Sequence, residues 1–146
     1  KGKRRVVSFG WKYEFSGGGK LQKVDEIPHF LMELRSRAGS FAKLEPAAFE
    51  HVLVTEYRPG AGIGWHRDKS VFDQVVGISL LAPCVLRFRR KVHAKWERVN
   101  VLAEPRSAYH LTGPARAEWE HSILRVDALR YSITFRTMTT GQRQSE

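Results

Sequence analysis

A chain of 146 residues, 42% apolar and 27% charged, is the length of one domain and has enough apolar material for a core, which excludes an intrinsically disordered protein. Its single cysteine, Cys84, excludes an internal disulfide and any cysteine-rich zinc module, so a metal would have to be held by histidines and carboxylates. The formal charge of +10 draws the chain toward polyanions, nucleic acid foremost, and no apolar stretch approaches the ~20 residues that cross a bilayer.

Trp11 to Phe15 alternates aromatic and polar residues before Ser16 and three glycines, which predicts a short strand running into a loop. From Pro28 to about Ala38, Phe30, Leu31, Leu34 and Ala38 recur at helical spacing, with Pro28 near the first turn and Gly39 beyond the end. A second short helical piece is expected at Pro46 to Phe49. Strands follow at His51 to Tyr57, Val75 to Leu81, Val85 to Arg89, Trp96 to Leu102, Ser107 to Thr112 and Arg130 to Thr137, with Pro or Gly between several of them. Strands at such short spacing predict a mainly β protein, a sandwich or barrel, with one or two N-terminal helices packed on the sheet.

His66-Arg67-Asp68 is the first group with chemical content, because residues i and i+2 of an extended segment point to one side. His121 lies 55 residues further on. Two imidazoles and one carboxylate on one face of an octahedral ion leave positions open, which suits non-haem Fe(II) that must bind a chelating cosubstrate and dioxygen. The last strand puts Arg130, Ser132, Thr134 and Arg136 on one face and Tyr131, Ile133 and Phe135 on the other. Its two guanidinium groups stand roughly 20 Å apart at ~3.3 Å per residue, and long side chains leaning inward can reach the ends of a small dicarboxylate. Tyr57 and Thr55 share a face of another strand and can donate hydroxyl hydrogen bonds to such a ligand. Trp65 and Trp119 are expected to pack in the core near these groups. His29, His51, His93 and His110, without partners at ligand spacing, are expected to be structural or surface residues.

Five ordered blocks then coincide: Phe9-Gly10 with Tyr13-x-Phe15-Ser16-Gly17, Tyr57-x-Pro59-Gly60, His66-x-Asp68, Gly113-x-x-Arg116 ahead of His121, and Arg130-x5-Arg136. Together they resemble the AlkB-like Fe(II)- and 2-oxoglutarate-dependent dioxygenases over roughly Phe9 to Thr137. The resemblance implies a double-stranded β-helix, or jelly roll, forming a single domain over residues 1–146, with residues 9–20 as a substrate lid. It implies iron held by His66, Asp68 and His121, and 2-oxoglutarate held by Tyr57, Arg130 and Arg136 with Thr55, Ser132 and Thr134 nearby. Thr55 and Ser132 stand where such proteins usually carry asparagine, and each keeps a shorter hydrogen-bonding group.

The activity implied is oxidative demethylation of N-alkylated bases in DNA or RNA, consuming 2-oxoglutarate and dioxygen and releasing formaldehyde, succinate and carbon dioxide. A base in an enclosed site must be unstacked and held by flat side chains, for which Trp11, Tyr13 and Phe15, with Ser16, are candidates. Ser70, where several relatives carry an acidic residue facing the base, is a further substrate candidate. Arg87 to Lys91 and Arg98 are candidates for following the phosphate backbone. The alternatives are the same iron chemistry acting on a protein side chain or small metabolite, and a non-catalytic basic module on the same scaffold. A cytoplasmic monomer with alkylated DNA or RNA as partner, and no membrane, is expected.

Overall fold

A computed structural model describes the backbone of residues 4–14, 20–23 and 25–139, and the side chains of residues 4–11 and 25–139. All strand pairing is antiparallel and falls into two sheets. The larger contains β1 (Arg4–Glu14), β2 (Lys20–Lys23), β3 (Phe49–Tyr57), β5 (Phe72–Leu80), β8 (Ser107–Leu111) and β10 (Arg130–Met138), in the spatial order β2-β1-β3-β10-β5-β8. The smaller contains β4 (Ile63–His66), β6 (Cys84–Val92), β7 (Lys95–Ala103) and β9 (Glu120–Ile123), in the order β4-β9-β6-β7. The chain alternates between the sheets, as expected for a jelly roll. No helix among the described residues is long and apolar enough to cross a membrane.

Helix α1 (Met32–Ala42) follows a 3-10 turn at His29–Leu31, and a second 3-10 turn occupies Pro46–Ala48. The helix runs four residues beyond the expected end at Ala38, and Gly39 lies inside it. Leu44 folds back over the last turn, its carbonyl oxygen 2.6 Å from where a Cβ on Gly39 would stand, so the glycine allows close packing where a stop was expected. Lys43, in the left-handed region at φ 60°, makes the actual stop.

The strands predicted from alternation are all present, several a residue or more longer than expected. Those missed, β2, β4 and β9, are four residues each, too short to show a period, and the four-residue helix α2 (Pro114–Ala117) was not expected either. The core is divided. Ile133 and Phe135 of β10, Phe49 and Val52 of β3 and Val76 and Ile78 of β5 face Leu31 and Ala38 on the helix side of the large sheet. A second cluster, Tyr57, Ala61, Cys84, Leu86, Ala103, Ile123 and Val126, joins the sheets at one end. Trp11, Val71, Phe72 and Met138 form a third. Between the sheets the opposite faces of β3 and β10 carry polar side chains, and that interior holds the site.

Candidate active site

A cavity of about 660 Å³ opens between the sheets, within the ~300–1,000 Å³ range typical of ligand pockets. Antiparallel pairing of β4 with β9 sets His66 opposite His121, and the pairing of β6 with β9 sets Phe88 opposite His121. Asp68 follows two residues after His66, so all three side chains converge on the cavity. Their donor atoms lie within 4.8 Å of one another, the one grouping of this kind among the described residues. Nε2 of His66 and Nε2 of His121 are each 3.8 Å from Asp68 Oδ1, and the two imidazole rings are 4.3 Å apart.

The surroundings put each donor in a metal-binding form. His66 Nδ1 donates to the Gly64 carbonyl at 2.9 Å, which leaves its Nε2 lone pair facing Asp68 and His121. Burial, reinforced by His66, pulls the His121 imidazole down to about 4, so it is neutral at physiological pH. Burial would raise the Asp68 carboxyl, but Arg136 and the two imidazoles outweigh it and hold the group down at about 2. Arg116 of α2 donates through Nη2 to the carbonyls of Lys69 and Phe72, at 2.7 and 2.6 Å, and so ties down the turn that follows Asp68.

Of the two arginines on β10, Arg136 gives its Nε to Asp68 Oδ2 at 2.6 Å, so one of the basic groups expected to meet a dicarboxylate is engaged with a carboxylate of the chain itself. Arg130 is different. It is 0% exposed, its Nε donates to Ser79 Oγ at 3.0 Å, and it lies 4.9 Å from the Tyr57 ring. Its Nη1 and Nη2 are buried with no hydrogen-bond partner among the described residues. A guanidinium desolvated and left half satisfied is costly, which is what a place prepared for an incoming carboxylate looks like. Tyr57, Thr55, Ser132 and Thr134 line the adjoining cavity wall, and burial raises the Tyr57 phenol so that it remains a neutral donor.

The substrate candidates are scattered. Trp11 is buried with Val71, Phe72 and Met138, and through Phe72 it backs the cavity wall. The side chain of Tyr13, and Phe15 and Ser16 altogether, lie outside the described residues. Ser70 is exposed and Arg98 is exposed on β7 opposite Arg89, and the cavity does not reach either. Trp65 lies outside the apolar core, with the guanidinium groups of Arg87 and Arg89 at 4.8 and 4.3 Å from its ring. Arg89 and Arg90, in the basic run, are paired with Glu120 and with Glu97 and Glu118. One residue was missed. His51, expected to be structural or on the surface, is 4% exposed yet lines the cavity, with its ring 4.5 Å from Phe72 and Nδ1 3.5 Å from Arg136 Nη1.

Residues 3–136 match the model of the 2OG-Fe(II) oxygenase superfamily. The chain belongs to this superfamily and is an AlkB-like dioxygenase, an enzyme class that uses Fe(II), 2-oxoglutarate and dioxygen. It is 30% identical over 146 residues to the alkylated DNA repair protein ALKBH8 homolog of Arabidopsis thaliana, a match covering 83% of this chain and 42% of the relative. It is 29% identical over 128 residues to the mouse tRNA (carboxymethyluridine(34)-5-O)-methyltransferase ALKBH8, covering 82% of this chain and 18% of that protein. An uncharacterised protein of Acanthamoeba polyphaga mimivirus is 28% identical over 149 residues, covering 92% of this chain and 70% of that one. The chain thus spans less than half the length of the plant relative.

Proposed function

We propose that this chain oxidises an alkyl group on a nucleic-acid base, removing an N-methyl group as formaldehyde. On this reading His66, Asp68 and His121 hold Fe(II), and Arg130 receives the far carboxylate of 2-oxoglutarate while Tyr57, Thr55, Ser132 and Thr134 supply polar contacts along it. The single observation that carries the reading is the pairing of a His-Asp-His cluster with a buried, half-satisfied arginine across one cavity. Bound iron, with 2-oxoglutarate and dioxygen, supplies the oxidising power for C–H hydroxylation, and the cosubstrate leaves as succinate and carbon dioxide.

The rest is the work of the chain. Arg136 clamps Asp68 in one orientation, Arg116 fixes the turn behind it, and the Gly64 carbonyl orients His66. Phe88, 6.0 Å from His121, and Tyr109, Leu111 and Ile123 give the site apolar walls that exclude water. Nucleic acid as substrate is supported by the net charge of +10 and by the names of the plant and mouse relatives, which refer to DNA repair and tRNA. Residues 9–20 act on this view as a lid of a single catalytic domain.

Purified protein supplied with Fe(II) and 2-oxoglutarate should release formaldehyde from a panel of N-methylated DNA and RNA oligonucleotides, and that release should vanish in His66→Ala. Succinate formation that no methylated oligonucleotide stimulates would point instead to a protein side chain or small metabolite.

A further inference from the structure

The described lining of the cavity is unevenly charged. Arg4, Arg67, Lys69 and Arg136 line it, and Asp68 is its one carboxylate. That carboxylate is already bound by Arg136 and faces both imidazoles, so it has little left to offer a cationic guest. Ferrous iron and the 2-oxoglutarate dianion cancel each other, and binding them leaves the balance as it was. A positively charged ring entering this space would meet like charge with nothing to offset it.

His51 adds a polarity to the same wall. A guanidinium can only donate, so at the contact with Arg136 the His51 Nδ1 accepts and its proton sits on Nε2. That Nε2 makes no hydrogen bond among the described residues, although the ring is held against Phe72 in the cavity lining. Burial and the neighbouring Arg136 keep the ring neutral, at about 3, so the arrangement persists across the physiological range. The wall therefore presents one fixed N–H donor in a cation-rich cavity.

We infer that this cavity, if it takes a nucleic-acid base as proposed above, selects neutral bases that carry a carbonyl acceptor over cationic alkylated bases, with His51 as the residue that reads the carbonyl. The chemical distinction is sharp between two rings of the same shape. Methylation at N3 leaves cytosine as a cation with an exocyclic amino donor, while the corresponding methylated uracil is neutral with a carbonyl oxygen at that place.

The test uses two oligonucleotides identical except for 3-methyluracil or 3-methylcytosine, with the iron-loaded protein and 2-oxoglutarate. Formaldehyde release is followed in air, and oligonucleotide binding is followed by fluorescence anisotropy without dioxygen. The expected result is a kcat/KM and an affinity higher for 3-methyluracil by roughly tenfold or more, as for a site whose donor would otherwise be left unpaired. In His51→Phe, which keeps the ring against Phe72 but removes the donor, that preference should collapse, and in His51→Gln, which keeps an N–H, part of it should return. Equal or better use of 3-methylcytosine by the wild type overturns the inference while leaving base oxidation intact, and needs no variant to fold. A preference that survives in His51→Phe overturns the role of His51. If neither oligonucleotide is demethylated or bound above an unmodified control, the reading of the site as a base pocket falls, and the selectivity with it.

Discussion

Arg130 and His51 show how differently single residues can be read. Arg130 stood out in the sequence because it shares a strand face with Arg136 at a spacing that suits a dicarboxylate, and its buried, unpaired Nη atoms give that spacing a physical meaning. Because those atoms are desolvated for no partner within the chain, Arg130→Met should leave the ligand-free melting temperature unchanged or raise it, while abolishing the stabilisation that added 2-oxoglutarate gives the wild type. A large drop in the ligand-free melting temperature would mean that the guanidinium is satisfied within the fold. His51 was invisible in the sequence, since its partner Arg136 lies 85 positions away and no local spacing marks the pair. Its effect is measurable through pH. The folded state holds His51 at about 3 against an ordinary value of 6.5, so the unfolded chain takes up a proton first and stability falls as the pH drops from about 6.5 toward 3. Asp68, at about 2 against 3.8, adds a loss between about pH 4 and 2. Urea denaturation of the metal-free protein at pH 7, 5 and 4 should show this decline, and His51→Phe should flatten the part between 7 and 4.

At the scale of elements, period two made β3 and β10 legible, down to which of their faces is apolar. The apolar face of β10 packs under α1, and the polar face that would ordinarily meet solvent faces the second sheet. The four-residue strands β4 and β9 escaped notice, although their pairing is what brings His66 to His121. A sequence can show ligand types, but register between distant short strands is settled by tertiary packing. A similar long-range constraint sits at Gly77 of β5, whose partner across the ladder is Tyr109 of β8. The Tyr109 ring occupies the space a Cβ would need, and the same ring lines the cavity. Gly77→Ala should therefore cost about 1–3 kcal/mol by overpacking and also weaken 2-oxoglutarate binding by displacing Tyr109. Denaturant titration reads the first effect and calorimetry the second; an alanine variant as stable as the wild type would show that the ring moves aside freely.

Across the whole molecule the apolar cores are kept at the helix side and the ends, and the middle of the sandwich is left polar and open. That division is costly in stability and makes sense when ligands complete the interior. Composition foretold part of it: one cysteine left histidine and carboxylate as the metal donors, and the positive charge is concentrated enough to reach the cavity lining. Composition was silent on the salt bridges that neutralise Arg89 and Arg90 in the basic run, because these depend on Glu120, Glu97 and Glu118 lying on neighbouring strands or beside them. The account rests on three side chains sharing one ion. Its most direct test is calorimetric titration of Fe(II), without dioxygen, into the wild type and into Asp68→Asn. One equivalent should bind the wild-type chain and binding to the variant should be weakened at least roughly tenfold, as removing a charged ligand requires; equal binding by both proteins would contradict the assignment of the metal centre.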